Sequence, residues 1–214
     1  MKIIAINGSP RKNWNTHILL EKALEGAKSA GAYTELFNLY DLDYKGCISC
    51  FACKVKNGKS LGHCAVNDGL KPVLEAIDKC DGFILGTPIY MGDITAMMRA
   101  LWERLIFQYL NYDDYSKPFS IGTKKTALIY TMNAPESILE KIGYTDKFES
   151  YERTLKMYFG NSDHMVSTET LQVNDYSKYH MATFNESDRK KRREEIFPLD
   201  CEKAYELGKS IANM

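Results

Sequence analysis

The sequence predicts an α/β fold in which a five-stranded parallel sheet is doubly wound, with helices on both faces. Short apolar runs alternate five times with helical segments that carry apolar residues on one side, and turn residues separate them. Parallel neighbours need right-handed crossover connections, which such helices provide. The 214 residues suit one domain, residues 1–214, with a cysteine-rich loop at about 41–67 and an elaborated C-terminal part.

The predicted elements follow in a regular order. Residues 2–6 form a buried strand, and apolar residues four apart, from Leu19 to Ala27, predict a helix after it. Residues 172–188 are expected to be irregular, and the basic run 189–193 is expected to be a solvated helix face. The other strands are predicted at 33–39, 83–86, 125–130 and 165–171, and the other helices at 68–79, 97–106, 136–159 and from 197 onward.

Composition and charge narrow the classes of function. With 28 basic and 28 acidic residues the formal net charge is zero, which argues against nucleic-acid binding and against a strongly acidic electron shuttle. The N-terminal apolar run is too short for a signal peptide, and no run approaches membrane-spanning length. We therefore expect a cytoplasmic protein without a membrane segment, whose six cysteines are thiols or metal ligands rather than disulfides.

The first polar loop, residues 7–16, is suited to hold a phosphate. It lies between a strand and a helix, where free backbone N–H groups and the helix dipole favour an anion. Its spacing matches neither the nucleoside-triphosphate loop nor the usual dinucleotide fingerprint. The alternative is a polar loop with an ordinary helix cap at Asn15 or Thr16. The candidate phosphate ligands are Ser9, Arg11, Asn15 and Thr16.

A second candidate loop follows the third strand. If the strand order is 2-1-3-4-5, the loops after strands 1 and 3 flank the point where the order reverses, and ligands bind there. Pro88 stiffens the turn, Gly92 allows close approach of the backbone, and Tyr90 offers a flat apolar face. The candidate residues of this loop are Pro88, Ile89, Tyr90, Met91, Gly92 and Asp93, and the loop after strand 4 adds Met132 and Asn133.

Two segments resemble the flavin-binding loops of the NADPH-dependent FMN reductase and iron–sulfur flavoprotein families of the flavodoxin-like superfamily. They are Gly8-Ser9-Pro10-Arg11 with Asn15-Thr16, and Pro88-Ile89-Tyr90-Met91-Gly92. The resemblance implies FMN, with its phosphate in the first loop and its isoalloxazine ring against the second, and NAD(P)H as the electron donor. It also implies a homodimer or homotetramer. We expect no catalytic side chain, because the flavin itself accepts hydride.

Four cysteines, Cys47, Cys50, Cys53 and Cys64, form a second group. The first three have the spacing Cys-x2-Cys-x2-Cys, which can wrap a [4Fe–4S] cluster. The region resembles that of iron–sulfur flavoproteins, except that its last gap, of ten residues, is longer. Free or redox-active thiols are favoured over a cluster, and a zinc site closed by Cys64 or His63 is the third alternative.

The leading hypothesis is an FMN-dependent oxidoreductase that takes electrons from NAD(P)H and passes them to a small-molecule or redox-protein acceptor. The rival is an iron–sulfur flavoprotein-type electron carrier that exchanges electrons with ferredoxin without nicotinamide turnover. A third hypothesis is a flavin-free sensor whose cysteine loop responds to redox state. The sequence names neither the acceptor nor the preferred nicotinamide nucleotide.

Overall fold

The computed structural model describes residues 1–119 and 122–213, so Ser120, Ile121 and Met214 of the predicted single domain lie outside the described residues. In chain order the strands are β1 (Lys2–Asn7), β2 (Tyr33–Asn38), β3 (Gly82–Tyr90), β4 (Asp93–Ile94), β5 (Lys124–Thr131) and β6 (Gly160–Ser167). The helices are α1 (Asn15–Ser29), α2 (Lys71–Lys79), α3 (Ala96–Tyr109), α4 (Tyr144–Phe159), α5 (Glu186–Glu195) and α6 (Phe197–Asn213).

The long strands form one parallel sheet in the order β2-β1-β3-β5-β6. This is the predicted 2-1-3-4-5 order, and the prediction of a doubly wound parallel sheet is confirmed. The short strand β4 pairs antiparallel with the end of β3. Because the long strands run in the same direction, the segments that follow β1, β3, β5 and β6 all leave the sheet at one edge.

Helices cover both faces of the sheet, as the alternation of elements requires. Phe83 points to the face covered by α2, α3 and α4, and its neighbour Ile84 points to the face covered by α1 and α6. Helices α1 and α6 approach so closely that a Cβ atom on Gly26 would lie 1.9 Å from the Tyr205 carbonyl oxygen. Two packed layers of helices therefore leave the carboxyl edge of the sheet as the place for a ligand.

Several predicted boundaries are wrong, and the helix predicted over 136–159 begins only at Tyr144. Strand β6 covers Gly160–Ser167 rather than 165–171, because Gly160, at a φ of 96°, turns directly out of α4 into register with Lys124. Helix α2 begins at Lys71 rather than at Asp68, whose Oδ1 instead accepts the N–H of Leu70 at 3.1 Å. The residues from 168 onward are therefore free to return across the carboxyl edge of the sheet.

The predicted loop after the third strand is a β-hairpin. Strand β3 continues past Gly86 to Tyr90, and Met91 and Gly92 then form a two-residue turn into β4, with φ values of 49° and 87°. Positive φ at both central positions is the geometry that matches the twist of paired strands. The hairpin fixes Tyr90 at the end of a strand rather than in a mobile loop.

None of the helices in the described part of the chain is long and apolar enough to cross a membrane.

Candidate functional site

A cleft of about 420 Å³ lies at the carboxyl edge of the sheet. Among the described residues, its lining comes from the carboxyl ends of β3 and β5 and from the segments that follow β1, β5 and β6. Nine of the twelve residues predicted to bind the cofactor line it, namely Ser9, Arg11, Asn15, Thr16, Pro88, Ile89, Tyr90, Met132 and Asn133. The loop after β1 and the carboxyl end of β3 thus face a common space, at the edge where the predicted topology expects a ligand.

Three predicted residues, Met91, Gly92 and Asp93, do not line the cleft. Met91 is fully exposed at the hairpin turn. Asp93 turns toward α4, where its Oδ1 accepts the hydroxyl of Tyr151 at 2.7 Å and its Oδ2 lies 3.3 Å from Lys147 Nζ. Burial opposes ionisation of Asp93, but these hydrogen bonds outweigh it and lower the pKa of the carboxyl group.

The turn after β1 is held firmly against β3 and α3. The N–H of Gly8 donates to the carbonyl of Gly86 at 2.7 Å, and the hydroxyl of Thr95 donates to the carbonyl of Gly8 at 2.7 Å. Thr95 rather than Asp93 caps α3, since its Oγ1 accepts the N–H of Met98 at 3.3 Å. The distance between the first and second loops is therefore set by hydrogen bonds outside the cleft.

The loop after β1 is preorganised by short-range hydrogen bonds. The N–H of Ser9 donates to Asn7 Oδ1 at 3.0 Å, and the N–H of Arg11 donates to Ser9 Oγ at 3.1 Å. The alternative of an ordinary cap at Asn15 or Thr16 is wrong, because both residues lie within α1, and none of the described side chains caps its start. The first-turn N–H groups of α1 lack acceptors within the helix, so this end of the cleft favours an anion.

The fourth wall of the cleft, which follows β6, was missed by sequence reasoning. The guanidinium of Arg11 lies over the Trp14 ring at 4.3 Å and donates to the carbonyl of Gln172. Trp14 Nε1 and Asn15 Nδ2 both donate to the carbonyl of Leu171, at 3.0 and 2.9 Å. The lining residues that were not predicted are Trp14, Thr131, Thr170, Gln172, Val173, Tyr179 and Met181.

The basic run at 189–193 also contributes to the site, so its prediction as a solvated helix face is wrong for part of α5. Lys190 and Lys191 are exposed, but Arg189 is buried and its Nε donates to Asn133 Oδ1 at 2.7 Å. Arg193 Nη1 donates to Asn15 Oδ1 at 2.8 Å. No local pattern in the sequence indicated these contacts, because each arginine meets a residue distant in the chain.

Two buried polar atoms of cleft-lining residues have no hydrogen-bond partner within residues 1–119 and 122–213. They are Asn133 Nδ2, a donor, and Gln172 Oε1, an acceptor. Unpaired buried polar atoms are rare in folded proteins and are expected where a polar ligand completes a site. Together with the apolar surfaces of Ile89 and Tyr90 and the anion-favouring start of α1, they fit a ligand with a flat polar-edged ring and a phosphate.

The four predicted cysteines line a second cavity, with free volume of about 20 Å³, enough for about one water molecule. Cys47 and Cys50 are exposed, Cys64 is half-buried, and Cys53 is buried, which raises the pKa of its thiol. All four are free thiols. In the described part of the chain no group of three or more His, Cys, Asp or Glu side chains is arranged to hold a metal ion.

A buried arginine organises the loop that carries these cysteines. Arg104 Nη1 donates to Asp68 Oδ2 at 2.6 Å and to the carbonyl of Lys45 at 3.2 Å, and Nη2 donates to the carbonyl of Val66 at 3.3 Å. Its Nε donates to Cys64 Sγ at 3.3 Å. Burial lowers the pKa of the guanidinium, but hydrogen bonds to Asp68 and Cys64 outweigh burial and raise it. The cysteine loop therefore surrounds a permanent positive charge.

Comparison with known proteins shows similarity to a protein family and to individual relatives. Residues 1–133 match the family model of the NADPH-dependent FMN reductases. The chain is 36% identical over 122 residues to an iron–sulfur flavoprotein of Methanocaldococcus jannaschii, covering 57% of this chain and 55% of that protein. It is 38% identical over 104 residues to an iron–sulfur flavoprotein of Archaeoglobus fulgidus, covering 49% of this chain and 48% of that protein. The chain thus spans about half the length of the curated relatives it matches.

Among solved structures, an NAD(P)H:quinone oxidoreductase from Methanothermobacter marburgensis has the same fold. The superposition has a TM-score of 0.72 and covers 100% of this chain and 98% of that one, at 15% sequence identity. At this identity the similarity concerns the fold alone. It extends through the C-terminal part, beyond the segment that the family model matches.

Proposed function

Because the chain belongs to the NADPH-dependent FMN reductase family, we propose that it is an FMN-dependent oxidoreductase that takes electrons from NAD(P)H. The observation that carries the proposal is the convergence of the loop after β1 and the carboxyl end of β3 on one cleft, one end of which lies at the open start of α1. The electron acceptor is a small molecule or a redox protein.

The phosphate of FMN is assigned to the loop after β1. Ser9 offers its hydroxyl, Thr16 offers a hydroxyl that also bonds Thr131 Oγ1 at 2.7 Å, and Arg11 offers positive charge. The side chain of Asn15 has a different role, because its oxygen already bonds Arg193 and its nitrogen already bonds Leu171. Backbone N–H groups at the start of α1 complete the anion site.

The isoalloxazine ring is assigned to the other walls. Pro88, Ile89 and Tyr90 provide apolar surface from β3, and burial raises the pKa of Tyr90, which keeps its hydroxyl neutral. Met132 and Asn133 line the cleft after β5. Bound FMN supplies the hydride-accepting chemistry. The side chains themselves bind, orient the ligand and exclude water, and none is needed as a general acid or base.

The remaining parts of the proposal concern partners and location. We propose a homodimer or homotetramer in the cytoplasm, in keeping with six free thiols. A net charge of zero supports neither nucleic-acid binding nor docking by one strongly charged face.

The test is anaerobic titration of the FMN-loaded protein with NADH and NADPH, followed by flavin absorbance. We expect bleaching by at least one of the two nucleotides. Ser9→Ala should weaken FMN binding about tenfold or more, the effect of losing a hydrogen bond to a charged group. Ser150→Ala, at an exposed position on α4, is the matched control and should bind as the wild type does. A bound flavin that neither nucleotide bleaches would defeat the enzyme proposal.

A second candidate function is that of an iron–sulfur electron carrier that exchanges electrons with ferredoxin. It is favoured by one observation, that the four cysteines share a cavity with the guanidinium of Arg104. The two relatives described above are also named iron–sulfur flavoproteins. Within the described residues the four thiols are not arranged to hold a metal ion, so a cluster requires this loop to rearrange.

Iron and sulfide analysis after anaerobic purification distinguishes the two candidates. A [4Fe–4S] protein carries four iron atoms per chain and shows a broad absorbance beside the flavin bands. Cys50→Ala should then abolish iron binding and leave FMN bound, whereas Cys201→Ala, a half-buried cysteine outside the loop, should retain iron. Faster reduction by ferredoxin than by nicotinamide would favour the carrier, and protein that holds flavin without iron would eliminate the cluster.

A further inference from the structure

Helix α5 carries two arginines, four positions apart on one helix face, and each contacts an asparagine that lines the cleft. Arg189 Nε donates to Asn133 Oδ1 at 2.7 Å, and its Nη2 lies 3.4 Å from the carbonyl of the same asparagine. Arg193 Nη1 donates to Asn15 Oδ1 at 2.8 Å. Each guanidinium therefore holds the amide oxygen of an asparagine that lines the cleft, one after β5 and one at the start of α1.

The two arginines are themselves held in place. Arg189 Nη1 pairs with Glu169 Oε1 at 2.8 Å, and its side chain is only 10% exposed. The guanidinium of Arg193 lies over the Phe197 ring, 4.0 Å from the centroid. Because each guanidinium is also held by this second contact, its N–H groups keep a constant direction toward the asparagine.

The helix that carries them is fixed to the sheet. Between the two arginines in sequence, Arg192 Nη2 pairs with Asp200 Oδ2 at 2.6 Å, and both side chains are largely buried. The same carboxylate oxygen accepts the hydroxyl of Ser167, the last residue of β6, at 2.6 Å. At the N-terminus of α5, Asn185 caps the helix by accepting the N–H of Ser187 at 2.9 Å.

A guanidinium can only donate hydrogen bonds, so it determines which end of a neighbouring amide faces it. The oxygen of Asn133 faces Arg189, so the nitrogen is the end of the amide that Arg189 leaves unbonded. That nitrogen is the buried Nδ2 without a partner within the described ranges. The oxygen of Asn15 faces Arg193, which directs its nitrogen to the carbonyl of Leu171 at 2.9 Å.

We propose that Arg189 and Arg193 are positioning residues of the cleft. Arg189 orients the amide of Asn133 so that the cleft offers a hydrogen-bond donor, which suits a carbonyl oxygen or an unprotonated ring nitrogen of the ligand. Arg193 orients Asn15 so that it holds the wall that follows β6. The inference rests on the proposed function, since the ligand that takes the donor is the FMN ring.

The experiment measures FMN affinity by quenching of flavin fluorescence, together with the melting temperature of the FMN-free protein. Arg189→Met should weaken FMN binding about tenfold, the effect of one misdirected hydrogen bond. Asn133→Asp keeps an acceptor for Arg189 and removes the donor, so it should weaken FMN binding by a similar factor and leave the melting temperature at or above that of the wild type. Lys191→Met, on the exposed face of α5, is the control and should change neither quantity.

Arg193→Met should weaken FMN binding and speed hydrogen exchange of the backbone amides at 171–173. Asn133→Asp also serves where Arg189→Met fails to fold, because it leaves the buried guanidinium paired. The positioning role alone would be overturned if the wild type binds FMN and the Asn133→Asp variant, or a folded Arg189→Met variant, binds FMN with an affinity within twofold of it. Wild-type protein that binds no FMN would overturn the proposed function as well.

Discussion

The substitution Arg104→Met tests how much one buried cation contributes to the free energy of unfolding through the cysteine loop. Methionine occupies similar space but removes the hydrogen bonds to Asp68, Cys64, Lys45 and Val66. The arginine side chain is 1% exposed and that of Asp68 is 21% exposed, so the substitution leaves a carboxylate that is mostly shielded from water. Breaking a buried pair on one side costs about 3–5 kcal/mol, and we expect about 3 kcal/mol because Asp68 keeps some contact with solvent.

The assay is urea denaturation followed by circular dichroism, with the free energy of unfolding extrapolated to water. In the double variant Arg104→Met/Asp68→Asn no unpaired charge remains, so part of the lost free energy should be recovered. The reaction of Cys64 with a chromogenic disulfide should also be faster in the single variant, because its loop is no longer held. Lys22→Met breaks an exposed pair with Glu25 and is the control, with an expected cost below about 0.5 kcal/mol.

A loss below about 1 kcal/mol for Arg104→Met would contradict a stabilising role for the buried cation. If the single and double variants lose the same free energy of unfolding, the unpaired carboxylate of Asp68 is not the cause of the loss. Unchanged reactivity of Cys64 would show that Arg104 stabilises the domain without ordering the cysteine loop.

Two further predictions concern backbone packing and pH. A Cβ atom at Gly8 would lie 2.9 Å from Met98 Cβ, so Gly8→Ala should lower the free energy of unfolding by about 1–3 kcal/mol, and an unchanged melting temperature would contradict it. Burial and the hydrogen bond to Asp93 raise the pKa of Tyr151 from 10.0 to about 12, so its contribution to stability is complete below pH 10 and is lost as the pH rises toward 12. In Tyr151→Phe the decline in melting temperature across that interval should be shallower than in the wild type.

The sheet and two walls of the cleft could be predicted from the sequence because they depend on local patterns and on one topological rule. The run 2–6 and the run 125–130 are apolar on both faces, and such strands must lie in the middle of a covered sheet. The residues that come after these strands are then expected at the carboxyl edge of the sheet, without knowledge of any side-chain contact. Ser9 and Pro88 were correctly expected to line one space for this reason.

The remaining walls could not be predicted, because they depend on contacts between distant residues. Charge density makes α5 look solvated, yet Arg189 has its amide partner 56 positions away and Arg193 has one 178 positions away. The hairpin turn at Met91 required a positive φ at a non-glycine residue, which no local propensity indicates. It also carried Asp93 toward α4 and away from the cleft.

The closure of the cleft by residues far apart in sequence has a consequence for biosynthesis. The carbonyl of Leu171 and the guanidinium of Arg193 meet Asn15 only after residues 171 and 193 have left the ribosome. Until then the nascent sheet presents its carboxyl edge to solvent, since the segment that completes the last wall is still being translated. A chain that ends before residue 171 would therefore lack the wall that completes the binding site.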